Sequence, residues 1–151
     1  MSTEQTPRIS TDPAELDIPL IHRFLSEESP WGRGIPLAVV EQGIRHSLSF
    51  GLYLGQAQVG FARVITDHAT FAYLTDVFVL PAFQGRGWSR LLVSAIMDHP
   101  SVKRARRVLL VSTSARGLYA KFGFVPPPHV ERFMEITAAN PYGVDAVSAG
   151  R

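Results

Sequence analysis

Hydrophobic and polar positions change period repeatedly along this chain. From Asp17 to Ser26, Ile18, Ile21, His22 and Leu25 fall on one face of a helix, with Asp17 placed as its N-cap and Pro19 in its first turn. Ser29-Pro30 ends that helix, and the loop Trp31–Pro36 sets a large aromatic beside Gly32 and Gly34. A second helix is predicted over Leu37 to His46, its apolar stripe interrupted by Gly43. At Ser47 the spacing becomes alternating. Ser47–Leu54, Val59–Thr66 and Phe71–Val79 predict three strands of an antiparallel meander, with turns at Gly55–Gln58 and Asp67–Ala69. Helical spacing returns at Trp88, Leu91, Leu92, Ala95 and Ile96 and stops at His99-Pro100.

Beyond it, the apolar run Arg107–Ser112 predicts a buried strand, and Ala115–Phe122 a short helix with Gly123 at C′. After the stiff Pro126–Pro128 connection, Val130–Thr137 predicts a last strand. Arg8–Ser10 is read as a short edge strand. Residues 1–7 are read as a flexible N-terminus and 138–151 as a loose tail, on either side of a single domain, 8–137. The order of elements predicts an α+β (mixed α/β) fold, a central mixed but mostly antiparallel sheet flanked by helices.

Composition narrows the chemistry. With 46% hydrophobic and 19% charged residues the chain reads as globular, and 151 residues are enough for one buried core. There is no cysteine, which excludes disulfides, thiolate-held zinc and a covalent thiol mechanism. No metal site is expected. The first residues lack an apolar run and no stretch approaches the ~18 apolar residues of a membrane span, so a cytoplasmic protein with no membrane partner is expected. A net charge of +2 does not favour a nucleic-acid partner. The basic cluster Lys103–Arg107 reads as a solvated connection or as a positive rim for a phosphorylated ligand.

Chemistry concentrates between the strand ending at Val79 and the helix starting near Trp88. Leu80-Pro81-Ala82-Phe83-Gln84-Gly85-Arg86-Gly87-Trp88-Ser89-Arg90 is a glycine-rich turn from strand to helix, a place where free backbone N–H groups and the helix dipole converge on an anion. It is not a phosphate loop of the Gly-Lys-Ser/Thr kind. Nor is it a dinucleotide fingerprint, because Arg90 stands at the third glycine position.

These residues resemble the acetyl-CoA motif of the GNAT (GCN5-related N-acetyltransferase) superfamily, Gln/Arg-x-x-Gly-x-Gly/Ala after a strand ending in Val-x-Pro. Here the pattern is Val79-Leu80-Pro81 followed by Gln84 to Ser89, with Ser89 where relatives carry Gly or Ala. Leu118-Tyr119-Ala120-Lys121-Phe122-Gly123-Phe124 is similar to the family's second signature, Leu-Tyr-x-x-x-Gly-Phe. The resemblance implies the GNAT acyl-CoA N-acyltransferase fold, acetyl-CoA as cosubstrate, and direct transfer of its acetyl group to the primary amine of a small molecule or peptide.

It further implies roles. Val77, Phe78 and Val79 would present backbone groups to the pantetheine arm, and the N–H of Val79 would face the thioester carbonyl. Gln84, Gly85, Arg86, Gly87, Trp88, Ser89 and Arg90 would hold the pyrophosphate. Ser114 takes the place of a cofactor-contacting Asn. Tyr119 would be the general acid, since a phenol of pKa ~10 can protonate a thiolate whose acid has pKa ~8.5.

For the base, Asp76 is the candidate beside His22 and His129, and its alternative is an ion pair with Arg63 across the sheet. The acceptor region would be the first helices and their loop, where Glu27 could attract an amine and Trp31 face it through its ring, unless both belong only to an acidic helix end and its packing. Two rivals stand beside this reading: a silent CoA-binding regulatory or interaction module, and an acyltransferase acting on a protein or transfer RNA. A homodimer is compatible with all three.

Overall fold

The computed structural model describes residues 5–144. Their framework is a five-stranded sheet in the order β1-β2-β3-β4-β5. The strands are β1 (Arg8–Ser10), β2 (Leu48–Leu54), β3 (Ala57–Thr66), β4 (Phe71–Val79) and β5 (Arg107–Leu110). The first four pair antiparallel, as the alternating sequence and short turns require, and β5 joins β4 in parallel after a helical crossover.

Two helical layers cover the sheet. On one face lie α1 (Ile18–Arg23) and α2 (Leu37–Arg45), whose Ile21, Val40 and Ile44 pack on Phe61 and Phe78 together with Leu25 from the turn after α1. Asp17 caps α1 as predicted, accepting the Leu20 N–H at 3.2 Å. The expected continuation to Ser26 is instead a π turn, Phe24–Glu28, closed by the Ser29 N–H on the Phe24 carbonyl at 2.9 Å. On the other face lie α3 (Trp88–Asp98), α4 (Pro100–Lys103) and α5 (Arg116–Ala120). Leu92, Val93, Ile96, Val102 and Tyr119 pack there against Phe50, Ala62, Val64 and Leu74. Each such side chain contributes about 1.5–3 kcal/mol by leaving water, so the strand register is fixed from both faces.

The C-terminal region departs from expectation. Val130–Thr137 forms no strand: a 3₁₀ turn occupies Val130–Arg132, and Met134 and Ile136 are 94% and 101% exposed. The prolines at 126–128 bring the chain past β5 without N–H donors to start a ladder. The outer edge of β5 therefore borders an open groove of about 880 Å³. Residues 138–144 form no helix or strand, yet they are docked: a Cβ at Gly34 would lie 2.5 Å from Val144 Cγ1. Residues 1–4 of the expected flexible start and 145–151 of the expected loose tail lie outside the described residues.

The sequence also hid α4, whose four residues are too few to show a period. The basic cluster around it is locally engaged: Arg104 Nε donates to the Pro100 carbonyl at 3.1 Å, and Arg107 lies over the Phe133 ring at 5.3 Å. Among the described residues no helix is long and apolar enough to cross a membrane.

Candidate active site

The glycine-rich turn forms an open cradle. A 3₁₀ turn, Pro81–Phe83, leads out of β4, and Gly85 and Gly87 both adopt φ +79°, a left-handed conformation that side chains resist. Gly87 is the N-cap of α3 and brings no side chain to cap it. The first amide of α3 to find a carbonyl is that of Leu91, bonded to Gly87 O at 3.2 Å. The backbone N–H groups from Gly85 to Arg90 have no acceptor among the described residues. A Cβ at Gly85 or Gly87 would meet no atom within 4 Å, so the space beside the turn is open.

The side chains of the turn brace it. Phe83 and Trp88 stack at 5.9 Å, and Trp88 packs against the cluster of Leu52, Val59 and Val79. The Arg86 guanidinium lies 5.5 Å from the Phe83 ring and 5.2 Å from the Trp88 ring, which keeps a cation at the mouth. Gln84, expected to face the cofactor, commits its side-chain amide to the Val79 carbonyl at 2.9 Å and ties the turn to the strand.

Next to this cradle the sheet splits. β5 follows β4 only as far as the Leu74–Leu110 pair, so no strand faces Val77–Val79 on that side. The Leu80 N–H bonds the Val59 carbonyl at 2.8 Å, which turns the N–H of Val79, one residue earlier, the opposite way and into the gap. β4 is also bulged: Phe61 faces Phe78 and Arg63 faces Thr75, leaving Asp76 and Val77 opposite Ala62 alone. Asp76 sits in the bulge at φ +54°, a conformation that Asp tolerates better than most residues.

The bulge carries a polar cluster. Arg63 Nε donates to Asp76 Oδ2 at 2.9 Å, and Trp31 Nε1 donates to Asp76 Oδ1 at 2.8 Å. Arg63 Nη1 also donates to Ser47 Oγ at 3.0 Å. Both Asp76 oxygens are thus engaged, and the ion-pair alternative is the one the structure contains. Trp31 is brought to the site by its N–H edge, whereas Glu27 is exposed in the π turn and makes no recorded contact with the cluster.

His22 Nε2 bonds the Ile35 carbonyl at 2.9 Å and braces the acceptor-side loop. His129 is at the surface, 3.5 Å from Glu131. Neither reaches Asp76 or Val79 by any recorded contact.

Tyr119 comes from α5, 8% exposed and edge-on to Phe124 at 5.8 Å. Burial pushes its phenol above the ordinary value of 10.0. Its hydroxyl makes no hydrogen bond among the described residues and is not sealed in the core, since the ring lines the groove beside β5. Ser114, placed by sequence at a strand end, lies beyond it in the exposed loop before α5, and Ser112 is the residue that braces that loop by accepting the Ala115 N–H at 3.0 Å.

The fold as a whole is shared with known relatives. Residues 45–126 match the sequence model described as the acetyltransferase (GNAT) domain. The chain belongs to the GNAT acetyltransferase family. A candidate acetyltransferase of this family from Xanthomonas campestris pv. campestris, solved by crystallography, is 49% identical with a TM-score of 0.89, over 92% of this chain and 98% of that one. A protein named as a candidate acetyltransferase, FG08082 of Gibberella zeae, is 35% identical over 75% of each chain. A Clostridium acetobutylicum acetyltransferase solved with acetyl-CoA shares the fold at 14% identity, with a TM-score of 0.63 over 88% of this chain and 96% of that one.

Within this GNAT domain, the sequence alone singled out the turn, Val79, Asp76, Trp31 and Tyr119 as candidates. It met Arg63 only as a partner for Asp76 and missed Ser47 and Tyr142. One signal was available: Gly43 breaks the stripe of α2, and a Cβ there would stand 3.4 Å from Arg63 Nη1. A glycine inside a helix marks such a close approach.

Proposed function

We propose that the protein is an acetyl-CoA-dependent N-acetyltransferase that acetylates the primary amine of a small molecule or peptide in a ternary complex. The observation that carries this reading is the run of unpaired backbone N–H groups from Gly85 to Arg90, in an open glycine turn at the end of a strand whose Val79 N–H points into the gap beside it. When bound, acetyl-CoA supplies an activated acetyl thioester, and the crystallised Clostridium relative holding that molecule supports the choice.

In this scheme the cradle binds the pyrophosphate through charge-assisted hydrogen bonds, helped by the dipole of α3 and by the Arg86 and Arg90 cations. The exposed backbone of Val77–Val79 takes the pantetheine amides in the manner of an added strand. Val79 N–H stands where negative charge gathers on the carbonyl oxygen during attack, and a fixed dipole there lowers the barrier without reorganising.

Tyr119 gives its proton to the departing sulfur. Its raised pKa keeps it protonated at neutral and mildly alkaline pH, which is the state an acid needs. The amine is cationic in water, with about one part in a few thousand neutral at pH 7 for a pKa of ~10.4. With Asp76 committed to Arg63 and Trp31, that proton leaves to solvent water at the open acceptor side.

The test is thiol release from acetyl-CoA with a panel of amines, together with Tyr119→Phe. The variant is expected to lose about 10²-fold or more in kcat with acetyl-CoA affinity unchanged. Parallel loss of both would make Tyr119 a structural residue, and no thiol release with any amine would leave a silent CoA-binding module.

A further inference from the structure

On the α1–α2 face a cavity of about 110 Å³ opens beside the bulge. Its walls are aliphatic and aromatic, among them Ile21, Leu25, Val40 and Phe61, and its polar end is formed by Arg63 and Asp76. Tyr142, from the docked C-terminal segment, supplies one more wall. The size is of the order that accepts one small apolar group, since a cavity of ~150 Å³ takes a benzene ring.

The state of Arg63 is what gives the cavity a chemical preference. Its Nε is held by Asp76 at 2.9 Å and its Nη1 by Ser47 at 3.0 Å, and Gly43 leaves α2 open for it. Nη2 has no partner among the described residues, and the side chain is 20% exposed. A guanidinium pinned at two nitrogens cannot swing out to water, so its remaining donors are fixed at the cavity, and a planar donor pair matches a carboxylate. With Asp76 beside it, the polar end carries one charge of each sign. That pattern suits a zwitterion and is poorly matched by a simple alkylamine, which would leave Nη2 of Arg63 without an acceptor.

We propose that this cavity receives an α-amino acid with an apolar side chain. Arg63 binds its carboxylate, the Asp76 end accommodates its amino group, and Tyr142 limits the side chain. As an account of the acceptor this rests on the N-acetyltransferase reading above. The ammonium gives one proton to solvent, and the nitrogen lone pair forms the C–N bond as the C–S bond breaks. The sulfur keeps that bonding pair and takes a proton, balanced by the second proton that the nitrogen loses.

The experiment uses the full chain and three probes, L-leucine, L-leucinamide and 3-methylbutylamine. Calorimetric titration of each into CoA-saturated protein reads binding apart from turnover, and thiol release reads transfer. Leucine is expected to exceed 3-methylbutylamine in kcat/KM by about 10- to 100-fold, because a site built to bond a polar group rejects the analogue that lacks it. Leucinamide should fall between them. Arg63→Gln should erase the difference, and Arg63→Lys should restore part of it. Tyr142→Ala should lower the preference for leucine over L-tryptophan.

Because the comparison within the unaltered protein needs no variant, a folding failure of Arg63→Gln leaves the test intact. Equal kcat/KM for leucine and 3-methylbutylamine, or no heat with leucine, overturns the inference and leaves the transferase reading standing. Leucine binding without transfer to any amine upholds the cavity assignment and overturns the transferase reading instead.

Discussion

Replacing Gly87 by alanine separates what the cradle needs for folding from what it needs for binding. The residue adopts φ +79°, and an added Cβ would meet nothing within 4 Å, so the folded chain has room for a methyl group. The remaining penalty is conformational, about 1–2 kcal/mol for a non-glycine residue in the left-handed region. For a domain of this size that lowers the melting temperature by roughly 2–8 °C.

Binding should suffer far more. On the proposed reading the methyl group stands in the open turn whose unpaired N–H groups hold the pyrophosphate, so the anion must retreat from at least one donor. A hydrogen bond to a charged group contributes about 1.5–3 kcal/mol, which corresponds to a loss of roughly 10- to 150-fold in acetyl-CoA affinity. Gly55→Ala supplies the control. Gly55 also has positive φ, +56°, but lies in the β2–β3 hairpin, so it should lose similar stability and no affinity. Calorimetric titration of acetyl-CoA into the three proteins, with thermal melts alongside, makes the comparison. Unchanged affinity in a folded Gly87→Ala protein would falsify the assignment of the turn as the pyrophosphate site.

Two further predictions concern the scaffold. Asp67 closes the β3–β4 turn by accepting the Thr70 hydroxyl at 2.6 Å and the N–H groups of Ala69, Thr70 and Phe71, bonds that hold its carboxyl well below its ordinary value of 3.8. A depressed folded-state pKa stabilises above the unfolded value and is lost as pH falls through the folded one. Asp67→Asn should therefore melt below the unaltered chain at neutral pH, and the gap should close on acidification below about pH 4; a gap that widens in acid contradicts this account. Gly60 pairs with Val79, and a Cβ there would stand 3.0 Å from the Phe78 carbonyl oxygen and 3.1 Å from Leu52 Cβ. Gly60→Ala should cost about 1–3 kcal/mol by overpacking, a melting shift of roughly 2–12 °C, and an unshifted melt would mean that β3 and β4 separate more freely than their packing suggests.

What the sequence disclosed depended on whether a feature is local. The meander showed because alternation and turn residues act within a few positions, and α3 showed because eleven residues give a full amphipathic stripe. The glycine turn was legible for the same reason. The strand predicted over Val130–Thr137 failed because alternation reports a tendency and cannot name a pairing partner, and the prolines ahead of it removed the donors. α4 is shorter than one period of evidence requires. The bulge was invisible: an extra residue in a strand leaves the composition of Phe71–Val79 unchanged, and nothing local marks Asp76 for φ +54°. Tyr142 was hidden by distance, because its place beside Arg63 depends on where the tail docks.

The bulge is where the two halves of the site become one device. A straight β4 could continue its ladder with β5 beyond Leu74 and spend the Val77–Val79 amides on that strand. The extra residue bends β4 away, and a non-glycine residue at positive φ costs of order 1–3 kcal/mol. Arg63 and Trp31 offset that cost by bonding the two oxygens of the residue that bears it. Trp31 belongs to the loop between α1 and α2, and Arg63 lines the cavity on the same face. On the proposed reading, the groups that face the amine are therefore the groups that keep β4 bulged and the gap beside Val77–Val79 open. A ligand that tightens Arg63 on Asp76 favours the bulged strand, and so favours the gap into which Val79 points its N–H. Coupling of this kind needs no moving domain, because both ligands act on the conformation of a single residue.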